Sequence, residues 1–285
     1  MKTILTFAIT FVLIKTAAYA QADSSMVHIK LTDGSSSIGK IVEKDSLQIV
    51  IITTTGVRTE IPWSSIESAE MVTIGPDGEY SHTDPNTSRL FFLPTGRTIP
   101  GGGGYLSDDE LVLTSVGVGV TDFLTLWGGI SLIPVSSDQL FYLSAKARLV
   151  HIESIDLSVG YLYCSVPGLD HGGNLNVPYA SMTYGSDRSS LTVAFGNTFG
   201  SSGMGILVIG GETQVSKSSA LLSENWITLN GNGVVFSFGL RIFGDLLSAD
   251  FGLIVPVSIT ALGDFPIVPW VGFAYNWGTG KTLSN

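Results

Sequence analysis

From residue 88 to residue 277 large apolar side chains recur at every second position. In 190–199, Leu191, Val193, Phe195 and Phe199 share one face, and Thr192, Ala194, Gly196 and Thr198 the other. Further on, Val234, Phe236, Phe238, Leu240 and Ile242 oppose Ser237, Gly239 and Arg241, and Leu247, Ala249, Phe251, Leu253 and Val255 oppose Ser248, Asp250 and Gly252. The split recurs at 124–132 and 141–149. A period of two is a strand signal. A soluble sandwich would place Lys, Glu and Asp on its non-apolar face. Here that face is mostly Gly, Ser, Thr and Ala, which suits a narrow lumen, while the bulky face suits lipid. Segments of about ten alternating residues separated by turns predict an antiparallel transmembrane-type β-barrel.

About twelve strands are predicted, near 88–93, 110–120, 123–134, 141–151, 154–166, 175–185, 189–199, 204–215, 219–229, 233–243, 246–259 and 267–277. Short connections at 121–122, 152–153, 186–188, around Lys217 and at 244–245 alternate with longer ones near 94–109, 135–140, 166–174 and 260–266. Short inner turns and longer outer loops are the outer-membrane arrangement, and an even strand count puts both barrel ends on the short-turn side, the periplasm. Tyr105, Trp127, Tyr161, Tyr163, Tyr179, Tyr184, Trp226, Trp270, Tyr275 and Trp277 fall towards strand ends, where interfacial aromatic girdles sit.

The chain ahead of the barrel has a different character. Lys2, the apolar run Ile4–Ile14 and Ala18-Tyr19-Ala20 read as a cleaved signal peptide over 1–20, too short to span a bilayer. Residues 21–73 then show short strands and dense turns: Val27–Leu31, Asp33-Gly34, Ser37–Val42, Leu47–Thr53, Thr55-Gly56, Val57–Ile61, a helical turn at 62–66 and Ala69–Val72. The order resembles small SH3-like or Sm-like barrels, which host many functions. The turn-rich stretch 74–87 reads as a linker, 88–277 as the barrel and 278–285 as a C-terminal tail. The fold class predicted is therefore all-β: a transmembrane-type barrel preceded by a small SH3-like β-module in the periplasm.

Composition sharpens this picture. The 285 residues are 44% hydrophobic but only 13% charged, with 34 glycines and a mean hydropathy of +0.37. An ordinary soluble domain carries about 25% charged residues. No run of about 18 apolar residues is present to span a bilayer as a helix. Loss of residues 1–20 removes Lys2 and Lys15 and no acid, taking the basic count from 14 to 12 against 24 acidic residues and the formal net charge from −10 to −12. That balance argues against nucleic acid as a partner. The expected partners are outer-membrane lipid and, through the N-terminal module, a periplasmic protein. A single cysteine, Cys164, excludes an intrachain disulfide.

The segment Asp84–Arg97, with Gly104-Tyr105-Leu106, Val116–Asp122, Ser223-Glu224-Asn225-Trp226 and Gly239-Leu240-Arg241, resembles a group of uncharacterised bacterial outer-membrane β-barrel proteins. The likeness spans the N-terminal module and the barrel. It implies architecture and location and brings no catalytic residues.

Chemistry motifs are sparse. Gly278–Thr282 has the ending of a P-loop, but Tyr275 stands where the first glycine belongs and no helix can follow before Asn285. Gly101–Gly104 lacks the strand-to-helix context of a dinucleotide site. His28, His82, His151 and His171 lack ligand spacing. Barrel lipases are also twelve-stranded, yet neither His151 nor His171 neighbours an obvious nucleophile. Cys164 reads as a small filler. No cofactor, metal site or enzyme activity is expected.

The informative polar residues are charges on the inward face: Lys146, Arg148, Asp156, Glu212, Glu224, Arg241 and Asp250. Arg241 and Asp250 should be opposite one another across the hairpin at 244–245, and Lys146 and Arg148 should approach Asp156. Such charges either pair to fill a closed lumen or form a constriction that selects solutes; the first is preferred. The functional expectation is a non-enzymatic outer-membrane barrel in an anchoring or narrow-channel role. The alternatives are a closed barrel presenting external loops for binding or structure, and a secreted soluble β-protein.

Overall fold

The computed structural model describes residues 25–74, 80–133, 139–166, 174–199, 203–229, 233–257 and 267–278. The signal-peptide and C-terminal-tail readings, His171 and most of the P-loop-like stretch lie outside these residues. The chain divides into two compact units, one carrying an N-terminal sheet up to Thr83 and the other the barrel from Asp84.

The N-terminal unit holds β1 (Ser25–Leu31), β2 (Ser36–Lys44), β3 (Gln48–Thr53), β4 (Arg58–Pro62), a 3-10 turn (Trp63–Ser65), β5 (Ile66–Ile74) and β6 (Tyr80–Ser81). The sheet order is β4-β3-β2-β1-β5-β6. Val27, Ile29, Ile49, Ile51, Ile61 and Ala69 form its buried core. The β-branched run in β3 predicts burial on both faces, and Ile49, Val50 and Ile51 are all buried, while Ile52 is exposed. The outer strands of the sheet do not pair, so the described residues form an open sheet and not a closed small barrel. Turn chemistry sets its corners. Gly34 and Gly56 have φ of 86° and 83°, a region that costs glycine little. At the β2–β3 corner the Asp45 carboxylate accepts the N–H groups of Leu47 (2.7 Å) and Gln48 (2.8 Å).

The second unit is a closed antiparallel barrel of twelve strands. These are β7 (Gly104–Asp109), β8 (Leu113–Thr121), β9 (Leu124–Ser131), β10 (Phe141–Ile152), β11 (Ile155–Ser165), β12 (Asn174–Gly185), β13 (Ser189–Asn197), β14 (Gly205–Ser216), β15 (Ser219–Thr228), β16 (Val234–Phe243), β17 (Leu247–Val257) and β18 (Val268–Trp277). Each pairs with its sequence neighbour, and β18 closes on β7 from Gly272↔Asp109 to Trp277↔Gly104. Connections 122–123, 153–154, 186–188, 217–218 and 244–246 lie at one end, here the short-turn end, with both chain ends of the barrel. The opposite strand ends, joined by 110–112 and by the longer connections that are only partly described, lie at the other.

Alternation holds around the barrel. Val116, Leu143, Phe195, Phe238, Phe251 and Phe273 are exposed on the outer surface, whereas Ser115, Ser144, Thr192, Ser237, Arg241 and Asp250 are buried inside. The distribution inverts that of a soluble protein: apolar outside, polar and charged within.

Three expectations need correction. Residues 88–93 are not a barrel strand. They belong to a strap, residues 84–103, which lies inside the barrel; the first strand is β7, which falls in the stretch expected as a connection. Leu90, Phe91 and Leu93 are all buried. Their run is contiguous rather than alternating, and the chain turns back through the Arg89↔Pro94 bridge. Second, the linker expected at 74–87 is narrower. Tyr80–Ser81 pairs with Thr73 and Ile74 as β6, and Asp84 and Asn86 are buried in the barrel unit. Third, half of the expected girdle points inward. Tyr105, Trp127, Tyr179, Trp226 and Trp270 share the inward register of Ser107, Thr125, Ser181, Glu224 and Ala274. Tyr161 near the long-connection end, and Tyr184 and Tyr275 near the short-turn end, do face outward.

The two Asp45 hydrogen bonds, Leu47 N–H first, hold its carboxyl below the ordinary value of 3.8. A carboxylate with a depressed folded-state pKa supports the turn above its unfolded pKa, and that support is lost as pH falls through the folded value. A carbon-13 shift titration of the Asp45 carboxyl in the folded chain should show a midpoint below 3.8; a midpoint at or above it would contradict the turn geometry.

Candidate functional site: a strapped lumen

A twelve-strand barrel is wider than its own small inward side chains can fill, since diameter grows with strand number. The strap occupies the remaining space. It carries both backbone groups and charges inward, so each needs a partner where water is scarce.

Arg241 meets the largest part of that need. Fully buried, it sits opposite Asp250 across the β16–β17 hairpin. Its Nε and Nη2 donate to the two Asp250 oxygens at 2.6 and 2.8 Å. Nη1 donates to Asp84 of the strap at 2.8 Å, and Nη2 to the Leu90 carbonyl at 2.7 Å. Glu212 lies 3.8 Å from Nη1. One guanidinium thus ties two strands to the incoming limb of the strap at both its ends, Asp84 and Leu90, using the planar fork that makes arginine suited to bidentate carboxylates. Asn86 Nδ2 donates to Ser248 Oγ beside it.

Lys146, also buried, does not pair with Asp156 as expected. Its ammonium donates to the carbonyls of Ser88 and Thr95, both at 3.0 Å, and lies 5.7 Å from the Trp127 ring centroid. The strap's turn puts two carbonyls within reach of one cation, and that arrangement takes the lysine away from the hairpin partner. Asp156 instead gathers Arg148 (3.6 Å), Arg97 of the strap (3.5 Å) and His151 Nδ1 (2.7 Å). Glu224 pairs with no cation. It accepts the strap N–H groups of Phe92 (3.1 Å) and Leu93 (3.0 Å) and the Trp226 indole N–H (2.8 Å). Arg89 of the strap lies 3.6 Å from Asp109 and over the Tyr105 ring.

Neutral groups complete the seat. Ser158 donates to the Gly96 carbonyl (2.5 Å), Ser181 to that of Thr95 (2.9 Å), and the Gly96 N–H donates to Thr183 (2.8 Å). A Cβ at Gly96 would run into the backbone of Asp156 and Thr183. Thr98 donates to the Asp122 carbonyl, and Ile99 N–H to Thr125. All seven inward charges named from the sequence line this lumen, and six are buried; Arg148 is partly so. The strap residues Asp84, Arg89 and Arg97 were missed. Their signal was the pair of arginines flanking Pro94 and Gly96 in an otherwise charge-poor stretch.

The lumen shows no assembled catalytic centre among the described residues. None of their His, Cys, Asp and Glu residues form a group of three or more able to hold a metal. His151 is paired with Asp156, and the hydrogen bonds shown bring it no serine hydroxyl. Cys164 is partly buried.

No family model matches the chain, and no curated protein matches it. Solved structures similar to it include a KdgM porin in complex with disordered oligogalacturonate, at 10% identity and TM-score 0.47, covering 61% of this chain and 98% of that one. The NanC porin matches at 6% identity and TM-score 0.44, covering 61% and 97%. The Salmonella typhi OmpF complex with daunomycin matches at 10% identity and TM-score 0.35, covering 89% and 96%.

Removing the Arg241 guanidinium should be severe, because Asp250 and Asp84 would remain buried without their cation. Breaking a buried pair from one side costs about 3–5 kcal/mol. Arg241→Leu should therefore lower the urea midpoint of the folded barrel strongly, whereas Arg148→Leu, at a partly exposed site, should lower it much less. Equal effects in urea unfolding would contradict the central place given to Arg241.

Proposed function

We propose that this chain is a non-enzymatic β-barrel of the outer-membrane type, closed by its own strap, that anchors the N-terminal sheet at a membrane surface. The supporting observation is the inversion of the barrel: an apolar outer wall around a lumen whose charges are met by one another and by the strap. Only a closed barrel or a helix satisfies its backbone in hydrocarbon, and the outward Val, Leu and Phe residues supply the lipid-facing surface. The short-turn end, where both barrel ends lie, is assigned to the periplasm, and the N-terminal sheet with it. Export by the 1–20 signal peptide fits this placement. The strand order of that sheet and its 3-10 turn before β5 support an SH3-like module, and its partner would be a periplasmic protein.

A narrow channel is the second reading. It draws support from a cavity of about 20 Å³ beside the strap, lined in part by Arg89, Asp109 and Lys146. That volume is about one water, so conduction requires the strap to move.

Planar-bilayer recording separates the two. The wild-type barrel should give no sustained discrete conductance, while Gly96→Ala, whose added methyl has no room beneath the strap, should give steps. Sustained wild-type steps would favour the channel reading.

The outer wall has its own test. Phe195 and Phe238 are about half exposed on that wall, at 50% and 54%. Near a bilayer midplane an outward arginine costs about 2–4 kcal/mol. Phe195→Arg and Phe238→Arg should reduce the heat-modifiable folded form recovered from membranes, and Phe→Leu at either site should not. Charged residues at Thr192 or Ser237 should also be harmful: both are buried, and Thr192 is bonded to Thr183. Full recovery of the Phe→Arg variants in soluble fractions would support a secreted soluble protein instead.

A further inference from the structure

The lumen is not polar throughout. Towards the short-turn end its inward positions are Asp156, Ser158, Ser181, Thr183, Thr192 and Glu212. Towards the long-connection end, along the same strands β11–β14, they become Leu162, Val177, Ala194, Ile206 and Val208, joined by Trp226 of β15. The change occurs without a change of register, as Thr192 and Ala194, or Glu212 and Val208, share one inward row each, whereas the inward row of β15 runs Ala220, Leu222, Glu224, Trp226. An inward apolar wall serves no lipid contact. Part of it packs on the strap, where Leu90 and Leu93 meet Ala194 and Val208. The rest borders a partly open cavity of about 60 Å³, lined also by Phe92, Leu93 and Pro94 of the strap.

We propose that this chamber is a binding site for a small neutral apolar solute, of the size of benzene or a short alkane. Three properties of the chamber select that class. Its volume corresponds to about four to six water-sized positions, which is far below the pockets that hold drug-sized ligands. The wall atoms exposed to it are almost wholly carbon, and the Trp226 indole N–H is given to Glu224. Water therefore finds few hydrogen-bond partners on its walls. A hydrocarbon entering it regains the dispersion contacts that the wall atoms lack. Trp127, Tyr179 and Trp226 are among the residues that line the space, which suits a flat or short unbranched molecule. Polypeptides and sugars are excluded by size and by polarity respectively. This site is independent of whether the barrel conducts; recordings and fractionation test that reading, and ligand binding tests this one.

Two tryptophans on the wall provide the readout. The full-length folded barrel, in lipid nanodiscs, is titrated with bromobenzene, a heavy-atom quencher of indole fluorescence. Partition into lipid quenches in proportion to concentration, so occupancy of the chamber appears as a saturable component above a linear one. Val177 and Leu162 face one another across β11 and β12 on the chamber wall. Val177→Phe fills the space and should abolish the saturable component while leaving the heat-modifiable fold intact. Leu162→Phe serves the same purpose if the first variant does not fold. A purely linear wild-type response, or a saturable component that survives a folded filling variant, would overturn the proposal and make the chamber an empty packing gap.

Discussion

An unpaired strand edge exposes a row of N–H and C=O groups, and a sheet that closes on itself has no such edge. Closure between β7 and β18 sets every later requirement on this chain. Twelve strands enclose more space than serine, threonine and glycine can fill. An unfilled lumen would leave inward charges to water, and a filled one must pair them. The strap resolves this by bringing its own carbonyls, N–H groups, two arginines and Asp84 to the inward charges. Arg241 is the point where these demands meet, since it joins the β16–β17 hairpin to the start and the end of the incoming strap limb.

The parts of this arrangement that follow from local rules were legible in the sequence. Period-two alternation together with the tight turn at 244–245 fixes the register, so Arg241 and Asp250 could be placed opposite one another before any coordinates. The alternating connection lengths likewise fixed which end carries the barrel's chain termini. The strap was not legible by the same means. Leu90-Phe91-Phe92-Leu93 is apolar and extended-looking, and periodicity does not distinguish a buried irregular segment from a strand. Pro94, Gly96 and Pro100 were the contrary signal, as each disfavours a strand interior. Lys146 was misassigned for a related reason. Hairpin geometry predicts its neighbours on the sheet but not a segment entering from outside that sheet.

The aromatic residues show a different lesson. Position near a strand end suggested a girdle for Trp127, Tyr179 and Trp226, yet parity settles their direction. Tyr179 is in step with Ser181 and Thr183, Trp226 with Glu224, and Trp127 with Thr125, all of them inward. Period two therefore outranks distance along the strand as a guide to which side of a barrel an aromatic ring occupies. The small module was partly legible: turn residues and core positions follow from Asp33-Gly34, Thr55-Gly56 and the Ile49–Ile51 run, whereas closure of its sheet depends on pairing that no local pattern encodes.

The strap enters the barrel and returns by the same end, with Asp84 bound beside the β16–β17 turn and Thr98 to Gly101 held at Asp122. It is thus a loop and not a threaded chain, and it can be withdrawn without separating any two strands. Tension applied at Asp84 would load its contact with Arg241 first and the later contacts of the strap in turn. Contacts loaded in this way break one after another rather than all at once, so the topology makes extraction of the strap mechanically easy in one direction while leaving it held against thermal motion.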